Sequence, residues 1–285
     1  MARLDAYNRL PIALQQVAFS MKSHAVHRRR YGGRFGELLD EALRRESWSQ
    51  DELAAYQVER LRVVLAQANP ASAGGSSTDD PFSLLAGYPV DTKHDARSRA
   101  RAIDRSPGQV WVATGGTSGA PLRFPTTRIA LQQQWAMWWR YRMWHGLSLG
   151  VWSAHFGGQP IVPASVTRPP FWRINRPSRQ VYFSPLHLTA ETAPVYTSEM
   201  RRRRLSWIHG YPSVIAMLAS YILDSSLDPG VIEWVTVGAE NLTHGQAEVI
   251  TAAFGVRPRQ HYGLAEGVAN FSECVLGTLH VDEDF

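Results

Sequence analysis

The chain of 285 residues has a formal net charge of +5, with 44% hydrophobic and 19% charged residues. This balance is typical of a globular protein with a large core, and it excludes an intrinsically disordered chain. No apolar run approaches the length of a membrane span, and the N-terminus lacks the apolar stretch of a signal peptide. A single cysteine, Cys274, excludes an internal disulfide framework, so we expect a cytoplasmic protein.

The basic residues are mostly arginines, because only Lys22 and Lys93 among the 30 basic residues are lysines. Four of the arginines form the run 201–204. Such a run indicates either a nucleic-acid patch or, more commonly, a solvated helix face. No nucleic-acid-binding motif accompanies it, so we expect no nucleic-acid partner.

Residue periodicity predicts an α/β architecture. Apolar residues at helical spacing predict helices through most of residues 7–66, and composition predicts a loop over 68–77. We therefore expect a helical N-terminal segment over 1–80, followed by a larger domain over 81–285. In that domain strands are predicted over 109–112, 151–154, 180–183 and 231–237, and helices over 128–145, 212–223 and 243–254. Strands that alternate with helices predict a mostly parallel sheet flanked by helices.

The helix predicted over 128–145 carries an unusual aromatic face. Its large apolar residues share one side at helical spacing: Leu131, Trp135, Trp138, Trp139 and Met143. A membrane-surface or aromatic-ligand role is the alternative, but core packing is the interpretation that we favour.

The glycine-rich segment 113–121, Ala-Thr-Gly-Gly-Thr-Ser-Gly-Ala-Pro, predicts a phosphate-binding loop. Glycine lets a backbone turn sharply and approach a ligand, while successive N–H groups and hydroxyls donate to an anion. The loop follows the strand predicted over 109–112, which we expect to be buried. It is not a Walker A loop, because the Gly-Lys-Ser/Thr ending is absent. Taken alone, the segment could equally be an ordinary surface turn.

Three further segments follow in order: Trp-Ile-His-Gly-Tyr-Pro-Ser at 207–213, Val-Gly-Ala-Glu-Asn-Leu at 237–242, and His-Tyr-Gly-Leu-Ala-Glu-Gly at 261–267. With the glycine loop and the lead-in at 88–93, this set resembles the adenylate-forming superfamily of acyl- and aryl-CoA synthetases. Within it, the set resembles the phenylacetate–CoA ligase-like branch that includes CapK-type proteins. The resemblance implies the large-domain fold of these enzymes over residues 81–285. It also implies that a carboxylate attacks the α-phosphate of ATP, with CoA as the expected acceptor.

The resemblance also implies roles for individual residues. Thr117 and Glu266 would carry the catalysis, with Glu266 as the Mg²⁺ ligand, and Thr114, Gly115, Gly116, Thr117, Ser118 and Gly119 would cradle the phosphates of ATP. Tyr262, Gly263, Gly238, Ala239 and Glu240 would line the adenine slot, while Tyr211, Pro212 and His261 would lie near the substrate. Taken alone, Glu266 is equally an ordinary surface carboxylate.

Other reactive side chains carry weaker signals. His209 and His261 have no second ligand at a recognisable spacing, so we expect them to be structural or close to the substrate. Cys274 has no identifiable base beside it, so we expect a buried small residue and not a nucleophile.

Two departures from the superfamily pattern bear on activity. The position after Gly119, often lysine in the superfamily, is Ala120, and Arg123 is a candidate substitute for the missing cation. The catalytic lysine of the family lies on a small domain after the region that corresponds to Phe285, and no lysine follows Lys93 here. We therefore expect a chain that lacks this domain. Two alternatives are a catalytically silent nucleotide- and acyl-binding module, and one half of a split ligase completed by a separate C-terminal chain.

Overall fold

The computed structural model describes residues 6–68, 80–90, 92–102, 109–114 and 122–285. Residues 115–121 of the predicted glycine loop and most of the predicted linker over 68–77 lie outside these residues. The chain divides into two compact units. The first unit comprises Met1–Gly33, Tyr141–Gly263 and Phe271–His280, and the second comprises Arg34–Arg140, Leu264–Asn270 and Val281–Phe285.

The helices and strands alternate through most of the chain. The helices are α1 (Ile12–Tyr31), α2 (Phe35–Arg45), α3 (Gln50–Ala68), α4 (Pro81–Ala86), α5 (Lys93–Ala102), α6 (Arg128–Trp144), α7 (Ala193–Arg202), α8 (Pro212–Asp224) and α9 (His244–Phe254). The strands are β1 (Val110–Ala113), β2 (Arg123–Thr126), β3 (Ser153–Phe156), β4 (Trp172–Asn175), β5 (Gln180–Phe183), β6 (Trp207–Gly210), β7 (Trp234–Val237), β8 (Arg259–Gly263), β9 (Asn270–Glu273) and β10 (Leu279–Val281). Within the described residues, no helix is both long and apolar enough to cross a bilayer.

An eight-stranded sheet, in the order β10-β9-β8-β7-β6-β3-β5-β4, organises the first unit. The neighbours β5, β3, β6, β7 and β8 run parallel, whereas β4 pairs with β5 in the antiparallel direction. One face of this sheet packs on apolar side chains of α7, α8 and α9, and these residues form the main core. The predicted α/β fold with a mostly parallel sheet is therefore confirmed.

The predicted helix over 243–254 shows how local sequence sets an element's ends. The Thr243 side chain accepts a hydrogen bond from the Gln246 backbone, and the Gln246 side chain caps the Thr243 backbone in return. This capping box satisfies two backbone donors that the first helical turn leaves without partners. At the other end Gly255 has φ +70°, a left-handed conformation that glycine adopts without a steric penalty.

Helix α1 covers the outer edge of the strand β4. The Gln16 side-chain amide donates to the Ile174 carbonyl at 2.7 Å and accepts from the Ile174 N–H at 2.9 Å. An unpaired strand edge is a template for unwanted pairing, and this amide occupies it as a neighbouring strand would. Nearby, the buried Arg173 guanidinium donates to the Gln15 side chain, which further joins α1 to β4.

In the second unit, buried ion pairs hold the segment 282–285 against α2 and α6. The Arg140 guanidinium donates to Asp284 at 2.9 Å and to Asp282 at 3.1 Å, and all three side chains are buried. Arg45 donates to the same Asp284 carboxylate at 2.6 Å. The predicted tryptophan-rich helix is confirmed as α6, but only Trp139 of its predicted apolar face is buried. The other four residues of that face, Leu131, Trp135, Trp138 and Met143, are half-buried.

The strand predicted before the glycine loop exists, but its predicted burial is wrong. Among the residues that the structure describes, strand β1 pairs with β2 alone, in an antiparallel arrangement that aligns Ala113 with Arg123. A two-stranded hairpin has no neighbouring strand on its outer edges, so Trp111 is 42% exposed. Two other strand predictions shift. The strand predicted over 151–154 becomes β3 at 153–156, and the one predicted over 231–237 shortens to β7, because its pairing with β6 begins at Trp234.

Candidate functional site

The carboxyl ends of four adjacent parallel strands meet at one edge of the sheet. Strand β3 ends at Phe156, β6 at Gly210, β7 at Val237 and β8 at Gly263. In open α/β sheets, ligands bind in the crevice outside this edge. The fold brings the predicted residues Tyr211, Pro212, Gly238, Ala239, Glu240, His261, Tyr262 and Gly263 to these strand ends in the first unit.

Tyr211 joins the ends of β3 and β6. Its backbone N–H donates to the Phe156 carbonyl at 3.0 Å. Its hydroxyl lies close to the backbone of Gly158, where a Cβ would approach the Tyr211 oxygen to 2.6 Å. Pro212 follows as the first residue of α8, a position that suits proline because the missing N–H has no helical partner there.

Gly238 and Ala239 form a tight backbone turn after β7. The Gly238 N–H donates to the Gly210 carbonyl at 3.3 Å, so the two strand ends stay joined beyond their last paired residues. Ala239 has φ +67°, a left-handed conformation that is unfavourable for a residue with a side chain. Strained backbone of this kind concentrates at ligand sites, which is consistent with the role that the sequence predicts for Ala239.

Glu240 has a structural partner. Its carboxylate accepts from the Ser213 hydroxyl at 2.6 Å and from the Ser213 N–H at 3.3 Å. Because Ser213 lies in the first turn of α8, the negative charge stabilises the positive end of the helix dipole. This contact connects the turn after β7 with the start of α8, whatever else Glu240 binds.

Tyr262 and Gly263, at the end of β8, are exposed. The Tyr262 ring is 47% exposed and rests edge-on against Phe271, with ring centroids 5.5 Å apart. An exposed aromatic ring of this kind, beside glycine backbone, can stack on a planar heterocycle such as adenine.

A row of half-buried histidines follows the strands behind this edge: His155 on β3, His209 on β6 and His261 on β8. Burial lowers the pKa of His155 and of His261 to about 3, and the nearby Arg142 guanidinium lowers both further. Burial also lowers the pKa of His209 well below its ordinary value. All three imidazoles are therefore neutral at pH 7. Within the described ranges, no three His, Cys, Asp or Glu side chains form a group that could hold a metal ion.

Sequence reasoning missed two members of this neighbourhood, His155 and Arg142. Arg142 is fully buried, and its guanidinium lies 5.2 Å from the centroid of the Trp207 ring. The signal for His155 was its alternation with Ala154 and Phe156 along β3, which puts a polar residue on the face opposite the apolar core. Arg142 gave no comparable signal, because an arginine within a helix is normally solvated.

Two of the remaining predicted site residues, Thr114 and Glu266, belong to the second unit. The Thr114 hydroxyl accepts from the Leu122 N–H at 2.9 Å, which closes the base of the β1–β2 hairpin. Gly115, Gly116, Thr117, Ser118 and Gly119 lie outside the described residues. Glu266 is exposed, in a turn that the Gly267 N–H closes onto the Leu264 carbonyl at 3.1 Å. An exposed carboxylate suits a hard, partly hydrated cation such as Mg²⁺. Arg123 is exposed at the start of β2.

Cys274 differs from its prediction. It is partly exposed and not buried, because it lies in the turn between β9 and β10. A hydrogen bond from the Thr278 backbone, together with one from the His280 side chain, lowers the pKa of its thiol to about 7. The expected absence of a base beside it is therefore also wrong, since His280 follows in β10.

Three members of the arginine run 201–204 form ion pairs at the end of α7. Arg201 pairs with Asp228 at 3.0 Å, and Arg202 pairs with Glu199 at 2.7 Å. Arg203 contacts the same Glu199 carboxylate. This arrangement is typical of a solvated helix end.

Comparison with known proteins gives one curated relative. The chain is 27% identical over 197 residues to Protein CapK of Staphylococcus aureus, a match that covers 68% of this chain and 44% of that protein. The chain thus spans less than half the length of this relative. No family model matches the sequence.

Solved structures of CoA ligases give partial matches. An open conformation of 2-hydroxyisobutyryl-CoA ligase, in complex with 2-HIB-AMP and CoA, has a TM-score of 0.47 at 16% identity, covering 68% of this chain and 48% of that one. The same enzyme in its thioesterification state has a TM-score of 0.44 at 14% identity, covering 97% and 55%. Both TM-scores lie below 0.5. The α/β fold is established by the strand order of this chain. The sequence match to Protein CapK confirms the resemblance to CapK-type proteins.

Proposed function

We propose that the chain provides the nucleotide- and acid-binding part of an ATP-dependent carboxylate-activating enzyme, with CoA as the acyl acceptor. The main support is the shared sheet edge, because three segments that resemble adenylate-forming motifs follow the adjacent strands β6, β7 and β8. Ligands of open α/β sheets bind beyond this edge. The match to Protein CapK supports the same branch of the superfamily.

The reaction proposed has two steps. A carboxylate oxygen of the acid attacks the α-phosphorus of ATP, the bond to the bridging oxygen breaks, and pyrophosphate leaves with that electron pair. The thiol of CoA, losing its proton, then attacks the acyl carbon, and AMP leaves. The protein contributes mainly by positioning and by electrostatic stabilisation.

Individual residues have distinct parts in this proposal. The Tyr262 ring stacks on adenine against the Gly238–Ala239 backbone, while Thr114 and Thr117 donate to the phosphates. Glu266 would hold Mg²⁺, which would supply neutralisation of the phosphate charge.

Acid-dependent exchange of labelled pyrophosphate into ATP tests the proposal. We expect exchange with at least one acid of a broad panel, and a loss of more than about 100-fold in the Glu266→Gln variant, as for other residues that stabilise charge in a transition state. The matched control is Glu248→Gln, which removes an exposed carboxylate on α9 and is expected to exchange normally.

The second candidate is a nucleotide- and acyl-binding module without turnover. Its signature is AMP binding without pyrophosphate exchange. Recovery of exchange on adding a lysine-bearing partner chain would indicate a split enzyme. Absence of nucleotide binding would contradict both candidates.

A further inference from the structure

The two faces of the central sheet differ in chemistry. Residues alternate between the faces along each parallel strand. The core-facing positions of β3, β6 and β7 are apolar: Ala154, Phe156, Ile208, Val235 and Val237. The opposite positions on the same strands carry polar or aromatic groups: Ser153, His155, Trp207, His209 and Thr236. On this face Thr236 satisfies two neighbours, because its hydroxyl accepts from Trp207 Nε1 at 2.8 Å and lies 2.8 Å from His209 Nδ1. A buried polar group without such a partner is costly.

Four rings lie side by side on this polar face. Strand register sets His155 opposite His209, and their ring centroids are 5.2 Å apart. The Tyr182 ring lies 4.1 Å from His155 on one side, and the His261 ring lies 6.4 Å from His209 on the other. The row therefore extends across β5, β3, β6 and β8, directly behind the proposed site.

Arg30 and Arg142 bring positive charge to the row, while the buried Glu273 carboxylate acts on Tyr141. The Arg142 guanidinium stacks on Trp207, whose ring lies 5.8 Å from His209. Arg30 on α1 donates a hydrogen bond to Tyr182. The nearby carboxylate of Glu273 accepts from Arg259 at 3.1 Å and from the Gln260 N–H at 3.0 Å. Arginine in a desolvated setting is well suited to bind carboxylate or phosphate oxygens.

Three buried polar atoms on this face lack a hydrogen-bond partner among the residues described: Ser153 Oγ, His155 Nδ1 and the Tyr141 hydroxyl. The Tyr141 and Ser153 side chains are fully buried, and the Tyr141 ring lies 5.6 Å from His261. Orphaned buried hydroxyls are rare in folded proteins and indicate a ligand or an ordered water. Hydroxyl and imidazole groups can all donate to an anionic oxygen.

We propose that the row His155–His209–His261, with Tyr141 and Arg142, binds an anionic oxygen group on the acid substrate. This inference depends on the proposed function and adds the substrate class: an acid with a second carboxylate, in place of an aliphatic or aryl monoacid. One carboxylate reacts at the strand ends, and the second is held behind them by the row.

Calorimetry with succinate, butyrate and inorganic phosphate tests this substrate class on the purified chain. Succinate and butyrate share a four-carbon chain and differ in the second carboxylate. We expect succinate to bind at least about tenfold more tightly than butyrate, the scale of a hydrogen bond to a charged group. Equal binding of butyrate would overturn the proposal. If phosphate bound as tightly as succinate and competed with it, the proposal would also be overturned, because the row would then be a subsite for a phosphate group of the nucleotide.

The Tyr141→Phe variant removes only the orphaned hydroxyl. We expect this variant to have an equal or higher melting temperature and to bind succinate at least about fivefold more weakly. The matched control is Tyr196→Phe on the core-facing side, where the hydroxyl donates to the Ser184 carbonyl at 2.7 Å. That variant should lose stability and keep succinate affinity. Unchanged succinate affinity in Tyr141→Phe would mean that ordered water alone satisfies the hydroxyl, which contradicts the proposal. Because nucleotide binding is measured separately, failure here leaves the proposed function standing.

Discussion

The ring of His261 occupies the space that a side chain at position 238 would need. A Cβ on Gly238 would lie 2.6 Å from His261 Cε1 and 3.0 Å from Nε2, closer than real Cβ contacts. Gly238 therefore lets the end of β7 lie against the histidine row. It connects the proposed nucleotide edge with the polar face behind it.

The Gly238→Ala variant tests this relationship. The added methyl group must displace His261 or the backbone, so we expect a loss of about 1–3 kcal/mol in unfolding free energy. We also expect weaker AMP binding, measured by calorimetry. The control is Gly245→Ala in α9, where nothing lies within 4 Å of the new Cβ. It should keep AMP affinity and gain up to about 1 kcal/mol of helix stability. Equal behaviour of the two variants would contradict the close packing of Gly238 and His261.

Acid should destabilise the first unit through the histidine row. Because the folded-state pKa values of His155 and His261 fall from 6.5 to about 3, the unfolded chain binds protons in this range that the folded chain does not. Stability is therefore full above about pH 6.5 and falls as pH decreases toward about 3. Each such histidine contributes about 1.4 kcal/mol per pH unit inside the window.

Urea unfolding at pH 7.5, 6.0 and 5.0 measures this slope. The slope of unfolding free energy against pH reports the difference in bound protons between the unfolded and folded states, and we expect His209→Gln to reduce this difference by about one proton. His244→Gln, which removes an exposed histidine at the start of α9, should leave it as in the wild type. A wild-type slope in the His209 variant would show that this imidazole binds a proton in the folded state.

The Gln16 amide should be required for a stable edge strand. Gln16→Leu removes both bonds to Ile174, leaving the strand's N–H and carbonyl without that partner. We expect a cost of about 1–3 kcal/mol in unfolding free energy. Val17→Gln alters the next residue of α1, which is 55% exposed, and should cost less than about 0.5 kcal/mol. Similar losses in both variants would indicate a general effect on α1.

The ion pairs of Arg140 should dominate the stability of the second unit. Arg140→Met leaves the buried Asp282 and Asp284 carboxylates without this guanidinium, and such losses cost about 3–5 kcal/mol. Arg34→Met breaks an exposed ion pair with Glu37 and should cost less than about 1 kcal/mol. Thermal unfolding followed by circular dichroism compares the two. A small effect of Arg140→Met would mean that Arg45 alone stabilises Asp284.

The sequence predicted correctly those helices whose first and last residues are typical of helix ends. The Thr243 capping box and Gly255 fix α9, and Pro212 starts α8, so both helices follow from a few residues. The strand at 180–183 also follows from its residues, because it is bounded by polar turns. These features act within a few positions of the chain, which is the range that periodicity reports.

Tertiary pairing decided the features that the sequence did not predict. Strand β4 contains Arg173 and Asn175, and it is stable because α1 supplies Gln15 and Gln16 to its polar groups. The burial of β1 was overestimated because its apolar residues do not show which strand they pair with. The row of His155, His209 and His261 depends on register between strands distant in sequence, which a single chain does not reveal.

Equilibrium binding of ATP in the presence of Mg²⁺ tests the central claim most directly. We expect saturable one-to-one binding to the purified chain, weakened at least about tenfold in the Tyr262→Ala variant, because loss of one aromatic stacking partner costs about 1–3 kcal/mol. The control Tyr88→Ala removes an exposed tyrosine of the lead-in segment and should retain wild-type affinity. Absence of ATP binding to the folded wild-type chain, or equal binding by the Tyr262 variant, would contradict a nucleotide site at the ends of β6, β7 and β8.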